Sequence, residues 1–61
     1  MKLYELKRGQ KFKILYEGEE LEEVLIFEKI DGSYSICFDS SGQIAHIVAY
    51  AEVILVKDQP S

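Results

Sequence analysis

Five or six short apolar runs, each closed by a turn signal, fill this 61-residue chain almost from end to end. They span residues 2–6, 11–16, 24–30, 33–39, 43–48 and 52–57, with Gly9, Gly18, Asp31-Gly32 and Ser41-Gly42 between most of them. Short runs at this spacing predict an all-β fold. The expectation is a small barrel of five or six antiparallel strands, with Ala49-Tyr50-Ala51 as a short helical turn before the last strand. There is room for one domain, residues 1–61, and a domain of that size hides only about 60% of the surface its unfolded chain exposes. Partners or oligomers often supply the missing stability.

Alternation sets the faces. In residues 33–39, Tyr34, Ile36 and Phe38 share one side and Ser35, Cys37 and Asp39 the other, so the first set is expected in the core. Asp31-Gly32 suits a two-residue hairpin turn, which sets Ile30 against Ser33, Phe27 against Ile36 and Leu25 against Phe38. Leu25 and Phe27 then join the core. Asp39-Ser40-Ser41-Gly42 suits a three-residue loop with glycine in the left-handed position, which pairs Ile36 with His46 and turns His46 inward. A four-residue loop slips the pairing by one and turns His46 outward. Residues 19–30 hold the one helix-or-strand ambiguity: Leu21, Val24, Leu25 and Glu28 follow helical spacing, but the unbroken run Val24-Leu25-Ile26-Phe27 favours a turn over residues 18–21 and a strand over 22–30.

These registers leave aliphatic side chains that the barrel interior does not claim. Val24 and Ile26 are surplus on the hairpin, and Val53-Ile54-Leu55-Val56 leaves two large aliphatics outward in the last strand. Val24, Ile26, Ile54 and Val56, with Tyr50 at the strand junction, are the candidate protein-contact residues, and self-association is one use for them. Scattered exposed aliphatics are also ordinary on protein surfaces.

The order of elements, an early glycine loop, three strands joined by tight hairpins, a brief turn and a final aliphatic strand, resembles Src-homology-3-like (SH3-like) small barrels. Through the Leu6-Lys7-Arg8-Gly9-Gln10-Lys11-Phe12 opening, the Asp39–Gly42 turn and the Ala51-Glu52-Val53 start of the last strand, the chain is also similar to short β-barrel proteins of bacteriophages and bacterial mobile elements. The resemblance implies action by binding, and it carries no functional residues across.

Charge offers two further candidates. The net charge of −4 opposes nonspecific binding to nucleic acid or an anionic membrane, but the charges are segregated. Lys7, Arg8, Lys11 and Lys13, near Tyr4, Phe12 and Tyr16, combine cationic and aromatic groups as single-strand-binding surfaces do; alternating lysines also mark the solvated face of a strand. Glu19, Glu20, Glu22 and Glu23 could imitate a phosphate backbone against a basic cleft, or form a solvated loop.

Catalytic and metal signals are weak. Glu28, Ser35 and His46 align across neighbouring strands only in the slipped register, and a serine in a regular strand has no donors aimed at an oxyanion. A metal would need His46, Cys37 and carboxylates such as Asp39 or Glu28 without paired ligand spacing. The four glycines are isolated at turns, so no phosphate-cradling loop and no cofactor are expected. One cysteine and no long apolar stretch fit a cytoplasmic chain that does not span a membrane. The expectation is therefore a noncatalytic interaction module, an inhibitor or adaptor that binds a larger protein or its own copy, with nucleic-acid binding and acidic mimicry as alternatives.

Overall fold

The computed structural model describes residues 1–56. A 3-10 turn, Leu3–Glu5, is followed by six strands: β1 (Lys11–Tyr16), β2 (Glu19–Glu20), β3 (Leu25–Asp31), β4 (Tyr34–Phe38), β5 (Ile44–Val48) and β6 (Val53–Leu55). All pairings are antiparallel, in the order β2-β1-β3-β4-β5, and β6 returns to pair β1. The sheet curls strongly into a half-barrel.

The inner face combines small and large side chains. From β4 and β5 it takes the small side chains Ser35, Cys37 and Ala45, together with Ile47. Bulk comes from Phe12, Leu25, Phe27 and Val53 on the other strands, and from Leu3 and Leu6. Leu3 and Leu6 sit three residues apart on the 3-10 turn, where i and i+3 side chains eclipse, so both enter the open side of the half-barrel. Glu5 holds that turn from its start, its carboxylate accepting the Lys2 N–H at 2.7 Å.

The Asp39 loop follows the expected three-residue form. Asp39 N–H donates to Gln43 O, and the Asp39 carboxylate accepts the N–H groups of Ser41 and Gln43 and the Ser41 hydroxyl at 2.7–2.9 Å. Those bonds, the Ser41 hydroxyl first, hold the Asp39 carboxyl below the usual range. Gly42 takes the left-handed position, φ 88°, and Ile36 pairs with His46.

The face assignment of β4 differs from expectation. The hairpin turn is Gly32-Ser33, not Asp31-Gly32: Asp31 pairs with Tyr34, and Gly32 alone has positive φ, at 65°, as a type II′ turn requires. Moving the turn by one residue preserves which side chains share a face. The inversion comes from a β-bulge between Phe27 and Lys29, where Phe27 pairs with Cys37 but Lys29 with Ile36. Glu28 is the extra residue. Leu25 and Phe27 stay in the core as expected, but they meet the Ser35/Cys37 side of β4, and Tyr34, Ile36 and Phe38 face outward. His46, paired with Ile36, is exposed rather than inward.

Other departures are local. Residues 2–6 are not a strand; Lys2 makes only an isolated bridge to Glu52. The turn after β1 is Glu17-Gly18, both with positive φ, so Glu19 and Glu20 pair back onto Tyr16 and Leu15 instead of lying in a turn. The strand reading of the ambiguous segment holds, but over Leu25–Asp31. Ala49-Tyr50 is a turn closed by one Ala51 N–H to Val48 O bond, and the Lys57 end of the last run lies outside the described residues.

The N-terminal plug is tied down at both ends. Leu3 N–H donates to Ala51 O and Tyr4 N–H to Ala49 O, while Val53 N–H donates to Met1 O, at 2.9–3.0 Å. The Glu52 carboxylate receives Lys2 Nζ at 2.8 Å and the Met1 amino group at 2.9 Å. Hydrogen bonding from Lys2, then from the Met1 amino group, holds the Glu52 carboxyl at about 2 against an ordinary 4.5, and Lys2 is raised in return.

Leu3 is fully buried, so Leu3→Ala should cost about 2–5 kcal/mol in a denaturant melt. That rivals the roughly 3–5 kcal/mol that a core of this size supplies. Tyr4→Ala, one residue on but exposed, should change little. A carboxylate whose folded pKa is depressed stabilises the fold above its unfolded pKa and loses that contribution as pH falls through the folded one. Wild type should therefore weaken more steeply than Glu52→Gln between pH 4.5 and about 2, a difference that acid-series melts measure directly.

Candidate functional site

The sheet's outer face is read directly from its registers. One row crosses four strands, Lys11 to Ile26 to Phe38 to Ile44. A second row is Lys29, Ile36 and His46, and a third is Asp31, Tyr34 and Val48. On the other edge of β1, Ile54 pairs with Lys13, and Val56 N–H donates to Lys11 O, which brings Val56 alongside the first row. Ile44 and Tyr34 keep 59% and 54% of their surface exposed, and Ile26, Ile36, Phe38, Val48 and Val56 are half-buried.

Two properties of this face follow from its construction. On β4 and β5 it carries Tyr34, Ile36, Phe38, Ile44 and Val48, where the inner side of the same strands carries Ser35, Cys37, Ala45 and Ile47. Charge also thins across it. Each row starts on β1 or β3 with a charged residue, Lys11, Lys29 or Asp31, and ends on β5 with Ile44, His46 or Val48. Contiguous apolar surface of this kind marks interaction sites.

Ile26, Ile54 and Val56 of the contact residues expected from sequence are brought together on this face. Val24 is half-buried just before β3, and Tyr50 is exposed on the turn after β5, outside the rows. Ile36, Phe38, Ile44, Tyr34 and Val48 were not anticipated as outer residues. The signal was present in β3: apolar Leu25, Phe27 and Ile30 are spaced two and then three apart, with charged Glu28-Lys29 between, which is how a bulge interrupts strict alternation.

The basic candidates divide. Lys7 and Arg8 lie in a turn held by Gln10, whose side chain accepts the Lys7 N–H at 2.8 Å, and Arg8 Nε lies 3.4 Å from Glu28 at the bulge. Lys11 and Lys13 are on the outer face, but Phe12 between them is fully buried, so it offers no base a stacking surface. Tyr16 is exposed but pairs with Glu19 at the acidic end. Glu19, Glu20, Glu22 and Glu23 are all exposed, on β2 and the loop after it.

The residues with reactive side chains are separated. Ser35 is buried on the inner face, its hydroxyl donating to Ile47 O at 2.8 Å and lying 3.3 Å from Cys37 Sγ. Burial pushes the Cys37 thiol up, away from the thiolate that nucleophilic or metal chemistry requires. His46 is on the opposite face, and Glu28 is engaged with Arg8. Ser35, His46 and Glu28 therefore do not form a nucleophile, base and orienter, and Cys37 and His46 cannot share a metal ion.

Among the described residues no helix is long and apolar enough to cross a membrane. No protein-family model, curated protein or solved structure matches the chain.

Proposed function

We propose that this chain is a noncatalytic protein-contact module, an inhibitor or adaptor that binds a larger protein or a second copy through the outer face of its sheet. One observation carries the proposal: the Ile26, Phe38 and Ile44 row, backed by Ile36, Tyr34 and Val48, lies on the outer face of the sheet, outside the core. An aliphatic and aromatic centre bordered on the β1 and β3 side by lysines supports a binding patch, since the centre gains from desolvation and the charged border stays wet. The order of loop, three hairpin-joined strands, turn and returning last strand supports an SH3-like barrel, a fold consistent with binding rather than catalysis.

Nucleic-acid binding is the second reading, and one placement favours it: Lys13 and Lys29 share the outer face with Phe38 and Tyr34. The face is otherwise mostly aliphatic, which does not stack on bases, and the net charge of −4 opposes it. The acidic residues of β2 and its loop leave mimicry as a third.

Charge and apolar variants separate the three. The tagged protein is used to capture partners from its host's lysate, and affinity is then measured for whatever is retained. Ile26→Asp and Phe38→Ser should keep the wild-type circular dichroism spectrum and weaken binding at least about thirty-fold, the loss of one hot-spot side chain. Paired Glu substitutions at Lys11 and Lys13, or paired Lys substitutions at Glu20 and Glu23, should change it little. Salt-sensitive binding lost with the first pair would establish nucleic-acid recognition instead, and loss with the second pair mimicry. Binding unaffected by Ile26→Asp and Phe38→Ser would overturn the proposal.

A further inference from the structure

β5 ends the strand order, and its outward edge has no backbone partner among the described residues over Ile44–His46. Which groups point outward is fixed by the ladder. Asp39 N–H to Gln43 O and Ala49 N–H to Ser33 O mark 39–43 and 33–49 as hydrogen-bonded pairs, and the register between them has no shift. Bonded pairs recur every second residue, so Ala45 and Ile47 turn their backbone groups toward β4, while Ile44, His46 and Val48 turn theirs away.

Exposed edges are normally blunted by shortness, charge, proline, a bulge or a covering segment. β2 is two residues long. The start of β6 is bonded to Met1 and bridged by Lys2 and Glu52. β5 has none of these devices: its sequence, Ile44-Ala45-His46-Ile47-Val48, is five residues without a lysine, a carboxylate, a proline or a bulge.

We propose that β5 is a strand-addition edge and that its occupant is β5 of a second copy, paired antiparallel about a two-fold axis at His46. That register overlaps the whole strand. His46 exchanges two backbone hydrogen bonds with its counterpart, and Val48 N–H donates to the counterpart's Ile44 carbonyl. Ile44 N–H in turn meets the Val48 carbonyl, which has a lone pair left beyond the Ala51 N–H it already accepts. Side chains match as well: Ile44 lies beside Val48 on the outer face and Ala45 beside Ile47 on the inner.

Charge does not oppose a second copy at this edge, and the side chains of β5 match their own counterparts. A sheet edge accepts any extended segment, but β5 is uncharged, and the acidic group of this −4 chain, Glu19, Glu20, Glu22 and Glu23, lies on and after β2, which pairs with β1 and not with β5. Pairing through β5 brings two uncharged strands together and leaves the acidic residues of β2 and its loop out of the strand contact. A two-fold contact must be self-complementary, and a neutral strand is. The inference rests on the contact-module reading but uses backbone groups of β5, so the two can fail separately.

The test is the mass of the purified full chain by sedimentation equilibrium across a concentration series. Wild type is expected as a dimer. Because the His46 N–H points away from β4, His46→Pro removes an intermolecular donor without touching the β4–β5 ladder and should raise the dissociation constant at least ten-fold, with the circular dichroism spectrum unchanged. If proline unfolds the chain, His46→Lys, which opposes two cations at the axis, should give the same shift. Residues facing across such a pair are about 5.5 Å apart at Cα, within disulfide range, so His46→Cys should form a linked dimer on mild oxidation and Glu20→Cys should not. Ile26→Asp should leave the mass unchanged. A monomeric wild type, or no preferential cross-linking through position 46, would overturn the pairing. So would a dimer that withstands both His46 variants but dissociates with Ile26→Asp, an outcome that leaves the outer face standing as the contact surface.

Discussion

The bulge at Glu28 determines what the two halves of the sheet show to the core. On one side of it, Leu25 and Phe27 lie against Phe12 of β1 and Cys37 of β4; on the other, Ile30 lies opposite Ser35 and Lys29 opposite Ile36. Strict alternation from Phe27 would carry Lys29 inward and Ile30 outward. One extra residue keeps the lysine out of the core and turns the Ser35/Cys37 side of β4 inward. The residue also supplies the carboxylate that meets Arg8, so the bend is linked to the turn before β1.

The inward choice of small residues leaves the core short of bulk, and the N-terminal segment supplies it. Leu3 and Leu6 fill what Ser35, Cys37 and Ala45 leave open, and backbone bonds to Ala49 and Ala51 hold them across the mouth of the half-barrel. The Glu52 clasp adds a surface electrostatic contribution that weakens with salt and acid, whereas burial of Leu3 and Leu6 does not depend on either. Core closure and acid sensitivity thus meet at one seam, between residues 1–6 and the start of β6.

Much of the ladder was legible because turns and alternation are local. The Asp39 loop, the pairing of Ile36 with His46, the core positions of Leu25 and Phe27, and the outward places of Ile26 and Ile54 follow from short-range preferences that the fold respects. What local patterning missed was parity. Tyr34, Ile36 and Phe38 form a cleaner apolar alternation than Ser35 and Cys37, yet the bulge at Glu28, which shifts the register by one, places them outside. The 3-10 plug was also obscured: Leu3 and Leu6 are separated by three, a helical spacing embedded in a run that reads equally as a strand.

Placing large apolar residues outside has a cost that the sheet offsets unevenly. Lys13 pairs with Ile54, Lys11 with Ile26 and Lys29 with Ile36, so lysines of β1 and β3 stand beside aliphatics of β6, β3 and β4, where they keep the face wet and discourage random association. That protection ends before β5, where Ile44 and Val48 have neither a neighbouring charge on their own strand nor a further strand to cover them. A face protected by lysines along one side and open along the other is directional: approach from the β1 side must displace hydrated ammonium groups, whereas approach from the β5 side desolvates apolar surface and satisfies backbone groups together. The same bulge that excludes Tyr34, Ile36 and Phe38 from the core therefore also keeps Lys29 on the outer face and contributes to its uneven distribution of charge.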